Sequence, residues 1–292
     1  MRILPLTIAF TFTALTTSAQ YGTFEAAAAK AAKATTTIVV LDAGDSPFNR
    51  TIMNAMKSEW KYTAGFEFVT VAELAAQPID PTKTYLLKTS KVDPVKFEAT
   101  FLTLVKGWKQ KKGEPLQQTN NAFTSIAPEN ELAYILIDPK AINEKNMASM
   151  LTVYVKHLQD YLKNVEGGKI TDKTTADRIY STRTRLVRDT ELLLAKEHMD
   201  KSLPDAAAIA VNYTAPTKLG SLADITAAVE AQDRSITISD MVLTGDHKNK
   251  HCFKRVFNAG TGELMYLADD AAIFGKKEGF IDVDLKNIAR AR

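Results

Sequence analysis

Residues 35–74 read TTTIVVLDAGDSPFNRTIMNAMKSEWKYTAGFEFVTVAEL, and this stretch decides the fold. Its first eight residues are β-branched or apolar up to a closing aspartate, which predicts a buried central strand. Pro47 stands where a first helical residue is favoured, and apolar residues then recur at helical spacing to about Tyr62. Residues 66–71 alternate and predict a second strand. A strand–helix–strand crossover of this kind predicts two parallel strands.

The rest of the chain extends this unit into an α/β protein. We predict a mixed sheet with flanking helices, a helical hairpin, and a smaller C-terminal α+β meander. The predicted strands cover 84–89, 97–105, 132–137, 206–213, 235–243, 251–257 and 263–267, and the predicted helices cover 145–164, 174–199 and 221–230. The basic loop that holds Trp108 is expected to be a solvent-exposed turn.

Composition shifts along the chain suggest five segments. They are a signal peptide at 1–19, an alanine-rich arm at 20–34, an N-terminal α/β domain at 35–140, a helical hairpin at 141–203, and a C-terminal α+β region at 204–292. The arm carries FEAAAAKAAKA, which favours a short helix because alanine has the highest helix propensity.

The first nineteen residues have the three-part layout of a secretion signal. Arg2 precedes an apolar run from 3 to 15, and Thr17 and Ala19 are the small residues that a signal peptidase requires. The run has about 13 residues, fewer than the ~20 that cross a bilayer. We therefore expect a secreted or periplasmic protein, cleaved near Ala19 and beginning at Gln20.

Charge and cysteine content narrow the function classes. The full chain has a net charge of +3, and without Arg2 it has 36 basic and 34 acidic residues. This near balance gives no argument for nucleic acid as a partner. The single cysteine, Cys252, excludes an internal disulfide. We expect no cofactor, and no membrane span in the mature chain.

The loop after the first strand is the first candidate site. Ligands of open α/β sheets bind beyond the carboxyl ends of the strands, and a helix N-terminus attracts anions. The candidate binding residues are Asp42, Asp45, Ser46, Asn49 and Arg50. In a hydrolase, the two aspartates would hold a divalent cation or act as acid and base, while Arg50 steers an anionic substrate. The alternative is a helix cap followed by a solvated loop.

Two known phosphate chemistries do not fit this loop. A haloacid-dehalogenase-type phosphatase needs a second aspartate two residues after Asp42, where this chain has Gly44. A P-loop needs a glycine-rich run that ends in Gly-Lys-Ser or Gly-Lys-Thr, and the sequence has none.

A histidine-bearing turn near the C-terminus is the second candidate site. Its possible zinc or copper ligands are Asp246, His247, His251 and Cys252. Lys248 and Lys250 would place positive charge beside a metal ion, so a polar hairpin turn is the alternative. The remaining histidines, His157 and His198, lie on predicted helices and are expected to be structural.

The stretch 36–74 also resembles a known kind of module. It combines a strand, a D-x-x-x-S-P-F-N turn from Asp42 to Asn49, a helix bearing Trp60, and the step Val71-Ala72-Glu73-Leu74. This pattern is similar to the TolB N-terminal and CsgG-type α/β modules of exported envelope-assembly proteins, and to uncharacterised exported bacterial proteins. The resemblance implies a non-catalytic envelope-assembly or binding protein with envelope proteins as partners. A hydrolase or a metal-binding protein remains the alternative, and the sequence predicts no oligomeric state.

Overall fold

A computed structural model describes residues 21–92, 98–111, 115–144, 146–246 and 249–292. The helices are α1 Ala26–Ala32, α2 Pro47–Glu59, α3 Val71–Ala75, α4 Met150–Glu166, α5 Lys173–Thr184, α6 Ala206–Ala210, α7 Leu222–Glu230 and α8 Asp282–Arg290. The strands are β1 Thr36–Leu41, β2 Gly65–Thr70, β3 Thr84–Val92, β4 Glu98–Lys106, β5 Gln118–Thr119, β6 Ala122–Phe123, β7 Glu131–Ile137, β8 Glu191–Ala195, β9 Thr217–Gly220, β10 Ile236–Thr244, β11 His251–Asn258 and β12 Leu264–Ala271. The α/β class with mixed sheets is confirmed.

The first sheet contains the predicted strand–helix–strand unit. Its strand order is β2-β1-β3-β4-β7, and the short strands β5 and β6 attach beside β3. β1 is parallel to β2 and to β3, while β4 is antiparallel to both of its neighbours. α2 packs on one face through Ile52, and α3 packs on the other face through Leu74. From β1 the chain crosses to β2 on one side, and from β3 it continues to β4 on the other side. The gap between β1 and β3 is therefore the topological switch point.

The second sheet has the order β12-β11-β10-β8-β9. The strands β10, β11 and β12 form the antiparallel meander that the turn pattern predicts. β8 is parallel to both β10 and β9, so this sheet is mixed as well. One face is covered by α6 and α8, and the other contacts α4 and α7.

The predicted helix over 174–199 is wrong in its second half. α5 ends at Thr184, a 3-10 turn follows, and 191–195 form β8 instead. Leu192, Leu193 and Leu194 are buried on both faces of the sheet, since neighbouring strands and helices enclose them. Leucine favours a helix locally, and this enclosure by distant residues overrides that preference. The segment 141–203 is therefore not helical throughout.

Two smaller expectations are also wrong. The predicted strand at 206–213 is α6, whose first turn is capped by the Asp205 side chain through the backbone N–H of Ala208. Trp108 is half-buried against the core cluster that contains α3, so it does not lie in a solvent-exposed turn. Its indole covers apolar surface that the basic loop alone would leave open.

α4 is the helix that both sheets share. Of its 17 residues, 13 are buried, including the polar residues Lys156 and His157. Its cluster joins Leu104 and Ile135 of the first sheet to Phe257 of the second. A helix that is enclosed on nearly all sides belongs to the centre of a fold. Within the described ranges, no helix combines the length and apolarity needed to cross a bilayer.

A buried arginine ties α4 to both sheets. Arg255 on β11 is fully buried, and its Nε donates to Oδ2 of Asp240 on β10 at 2.8 Å. One terminal nitrogen donates to the carbonyl oxygen of Leu136 on β7 at 2.9 Å. The Tyr154 hydroxyl of α4 donates to Oδ1 of Asp240 at 3.0 Å. The charge is therefore paired and hydrogen-bonded, as burial requires.

The alanine-rich arm lies on this core. α1 packs against α4 through Ala29 and Ala32, which confirms the predicted short helix. Just before it, Tyr21 accepts a hydrogen bond from the Tyr134 backbone N–H at 2.7 Å, so the chain runs beside the outer edge of β7.

The close approach of the second sheet to α4 generates a prediction. Gly262 has φ +70°, and a Cβ there would lie 2.4 Å from Cβ of Lys156. Gly168, just after α4, has φ +67° with nothing within 4 Å of its would-be Cβ. Gly168→Ala should cost about 1 kcal/mol of backbone strain. Gly262→Ala should cost about 1–3 kcal/mol more because it also overpacks against α4. Urea denaturation of both variants measures the difference, and equal costs would contradict the packing described.

Candidate functional site

Asp42 lies at the carboxyl end of β1 and is held in a buried ion pair. Its Oδ1 is 2.5 Å from Nζ of Lys88 on β3, and the two side chains are only 5% and 3% exposed. The same Nζ lies 4.4 Å from the centre of the Phe48 ring. Burial lowers the pKa of Lys88, and the Asp42 charge opposes that shift. The pair sits at the switch point but inside the protein.

The rest of this loop is organised around the start of α2. The Asn49 side chain accepts from the Asp42 backbone N–H at 2.8 Å and donates to the carbonyl oxygen of Gly44 at 2.7 Å. The Ser46 hydroxyl accepts from the Asn49 backbone N–H, which is the bond of an N-cap. These contacts fix the loop geometry and use the polar atoms that the sequence suggested for binding.

Asp45 and Arg50 form a separate, exposed pair. Their side chains are 78% and 56% exposed, and an Arg50 terminal nitrogen lies 2.6 Å from Oδ2 of Asp45. The Asp42 carboxylate is directed to Lys88 and not toward this pair. The structure therefore divides the five predicted residues between an interior ion pair, a helix cap and a surface ion pair.

A cleft of about 430 Å³ does open near the carboxyl ends of the first sheet. Ser90, Asp138 and Thr244 are among its walls, and Asn120 stands at its border. The five loop residues are not part of its described lining. The residues that line this cleft come from β3, β4, β7 and β10, from the segment 119–122 and from the residues that follow β7.

The histidine turn is only partly described, since His247 lies outside the described residues. Asp246 is exposed, His251 opens β11 opposite Thr244, and Cys252 is fully buried. Burial raises the pKa of the Cys252 thiol to about 12, which disfavours the thiolate that binds metal. Among the described residues, no group of three metal-ligating side chains converges.

His157 and His198, the two histidines outside this turn, are buried and neutral. His157 on α4 packs against the rings of Tyr180 and Phe257, with centroids 6.1 and 5.6 Å away. Burial lowers its pKa to about 3, against the opposing charge of Asp160. Burial likewise lowers the pKa of His198, whose Nδ1 lies 3.0 Å from the Ser239 hydroxyl oxygen. Neither imidazole reaches a surface where it could exchange protons with a substrate.

A different concavity, which we call the tyrosine cleft, brings distant parts of the chain together. It has a volume of about 480 Å³ and lies between α5, β12 and α8, with Tyr21 at one side. Its aromatic residues are Tyr21, Tyr180, Phe253 and Tyr266, and its polar residues include Lys173, Asp177, Ser181, Asp269, Asn287 and Arg290. Small-molecule sites combine aromatic side chains with polar groups that fix the orientation of the ligand.

Tyr180, one of the residues that line the tyrosine cleft, carries a buried and unsatisfied polar group. Tyr180 is 3% exposed, and its hydroxyl has no hydrogen-bond partner among the described residues. The hydroxyls of two neighbouring tyrosines are engaged, since Tyr21 donates to Asp177 and Tyr266 donates to Oδ1 of Asp284 at 2.8 Å. A buried hydroxyl without a partner is uncommon and calls for a ligand or a water.

The rim of the tyrosine cleft carries charges of both signs. Lys173 and Asp177 neutralise each other, with Nζ and Oδ2 at 2.6 Å. Asp269 and Arg290 are exposed, and neither forms an ion pair within the part of the chain that the structure describes. The rim thus offers a ligand one negative charge, on Asp269, and one positive charge, on Arg290.

Sequence reasoning missed this cleft because its residues come from five separate segments. Arg290 and Asn287 lie beyond the last predicted strand, and Tyr180 lies within the segment 174–199 that is predicted as one long helix. The spacing Asp177, Tyr180, Ser181, Thr184 on one side of α5 was the available signal. It does not reveal what that side faces.

Comparison with known proteins adds no relative. No family model matches the chain. No curated protein and no solved structure matches it. The resemblance of 36–74 to envelope-assembly modules therefore stays a prediction.

The buried imidazole of His157 generates a pH prediction. Its pKa is about 3 in the folded protein and 6.5 for an unperturbed imidazole, so the unfolded chain binds the extra proton below about pH 6.5. Stability is therefore full above that pH and should fall by about 1.4 kcal/mol per pH unit below it, from this residue alone. His157→Phe keeps the ring contacts and should make the decline shallower.

The measurement is the free energy of unfolding of both proteins between about pH 8 and pH 5. The difference in free energy of unfolding between the two proteins near pH 8 measures any packing change in the variant. This difference is subtracted from the values at lower pH. An identical slope in both proteins would show that His157 is not buried neutral.

Proposed function

We propose that the protein is an exported, non-catalytic binding protein that takes a small zwitterionic ligand into the tyrosine cleft. Export is supported by the leader pattern of 1–19. Binding is supported by the cleft itself, and above all by Tyr180 in its lining, whose buried hydroxyl has no partner among the described residues. A ligand polar group that reaches this hydroxyl would remove the cost of an unmade hydrogen bond.

The ligand class follows from the rim. Arg290 can hold a carboxylate and Asp269 can hold an ammonium group, because neither is neutralised by a described side chain. The rings of Tyr180 and Tyr266 add apolar surface to the lining of the cleft. A zwitterion with a compact apolar middle, of the size of a dipeptide, matches this arrangement.

Binding is favoured over catalysis by the state of the groups that could act as bases or nucleophiles. Asp42 is paired with Lys88 inside the protein. His157, His198 and Cys252 are buried away from the cleft surfaces. A general base must reach the proton that it removes, and these four groups are enclosed.

A pair of tyrosine variants tests the proposal. Tyr180 and Tyr213 are both buried and both have hydroxyls without a described partner, but only Tyr180 lines the cleft. Removing an unpaired hydroxyl is expected to leave the stability of each variant unchanged or slightly higher. Tyr180→Phe should weaken ligand binding about tenfold, whereas Tyr213→Phe should not change it.

The measurement is isothermal titration calorimetry with a set of zwitterionic dipeptides, using their N-acetylated amides as uncharged controls. Arg290→Gln, on α8, should abolish the preference for the zwitterion, and Arg178→Gln, on α5 but outside the cleft lining, should keep it. Absence of binding by every dipeptide, or equal loss in both tyrosine variants, would refute the proposal.

A further inference from the structure

The loop between β12 and α8 presents an aromatic side chain to solvent. Phe274 is 81% exposed and has φ 57° and ψ 37°, which is the left-handed region of the backbone. Lys277, three residues on, also has a positive φ of 58°. Bulky residues rarely adopt this conformation, and sites that hold one against its preference are enriched in function.

Both ends of this loop are fixed to the second sheet. The Ala272 backbone N–H donates to the carbonyl oxygen of Lys250 at 2.8 Å, and the Phe280 backbone N–H donates to that of His198 at 2.8 Å. Lys250 Nζ lies 2.7 Å from Oε1 of Glu278, which closes the loop onto β11. Phe274 is therefore held out on an anchored turn.

A concave surface lies directly beside the exposed ring. It has a volume of about 810 Å³ and is lined by Gly245, Asp246, Lys250, Ala272, Phe274, Gly275 and Glu278. We call it the knob cleft, because the Phe274 knob stands at its border. Each copy of the chain thus carries the Phe274 knob beside a cavity that is large enough for a phenyl ring and the methylene groups of a lysine.

The charges of the knob and the cleft are complementary. Lys276 is exposed next to the knob, and Asp246 is exposed in the cleft wall. The other charges near them are already paired, Lys250 with Glu278 and Lys277 with Asp270. Lys276 and Asp246 have no ion-pair partner among the described residues. A cationic aromatic knob suits a cleft that carries a carboxylate.

We propose that this surface joins two copies of the chain about a twofold axis. Phe274 of one copy enters the knob cleft of the other, and Lys276 meets Asp246 across the interface in both directions. A twofold interface needs one surface that is complementary to itself, which a knob beside a matching cleft supplies. The occupied cleft would remove both exposed rings from water.

A lipid surface suits these residues less well. A membrane could accept Phe274 and Lys276, but anionic headgroups would meet Asp246 and Glu278 in the same surface. A lipid surface also leaves the concavity unfilled. A protein side chain therefore fits the cleft better than a lipid surface does. A second copy of the chain supplies such a side chain, Phe274, next to the positive charge of Lys276.

Sedimentation equilibrium of the purified protein tests the proposal, with Phe274→Ala and Val211→Ala as matched variants. Val211 is 82% exposed on the end of α6 and does not line the knob cleft. The wild-type protein and Val211→Ala should dimerise alike, and Phe274→Ala should raise the dimer dissociation constant at least tenfold. Since the ring is exposed in one copy alone, Phe274→Ala should fold with an unchanged Tm at low concentration.

Charge reversal gives an independent readout. Lys276→Asp should weaken the dimer because two carboxylates then meet across the interface. Combining it with Asp246→Lys should restore the dimer, because the two positions again carry opposite charges. A protein that stays monomeric, or a dimer that Phe274→Ala leaves intact, would overturn the proposal. Cosedimentation of the wild type with phosphatidylglycerol vesicles that is lost in Phe274→Ala, without dimerisation, would assign the knob to lipid and also overturn it.

Discussion

The fold depends on keeping one charged guanidinium inside the protein. Arg255 has no access to water, and its stability there rests on Asp240, the Leu136 carbonyl and the Tyr154 hydroxyl. These partners come from three elements: β10, β7 and α4. A buried ion pair adds little stability compared with apolar side chains, but removing one partner is costly. Asp240 lies in the same sheet as Arg255, but the Leu136 carbonyl and the Tyr154 hydroxyl reach the guanidinium only when the first sheet and α4 are in place, so the full set of hydrogen bonds requires one arrangement of the two sheets and α4.

This constraint also determines where a ligand can bind. α4 lies between the two sheets and is buried on nearly all sides, and a cleft of about 430 Å³ opens between β3, β4 and β7 of the first sheet and β10 of the second. Two further clefts lie at the periphery, where α5, α8 and the chain start meet the β12 edge and where the loop before α8 turns outward. The surfaces proposed to bind a ligand and a second copy lie at these margins, whereas the switch-point residues Asp42 and Lys88 are part of the core.

Local sequence was sufficient where the local pattern and the final environment agreed. The unit from β1 to β2 and the meander from β10 to β12 were predicted, because strand alternation, turn residues and helical spacing all indicate the same structure. β8 was missed because three leucines favour a helix until sheet neighbours enclose them. α6 could have been found from Asp205 and the alanines after it. The tyrosine cleft could not, since its members meet only after both sheets have formed.

The most direct test of this account is a double-mutant cycle on the buried pair. Arg255→Met and Asp240→Leu each leave one buried charge alone and should each cost about 3–5 kcal/mol in urea denaturation. The double variant has no unpaired charge and should lose much less than the sum of the two. Costs that simply add, or a single variant that loses less than about 1 kcal/mol, would show that the fold does not depend on keeping this buried charge paired.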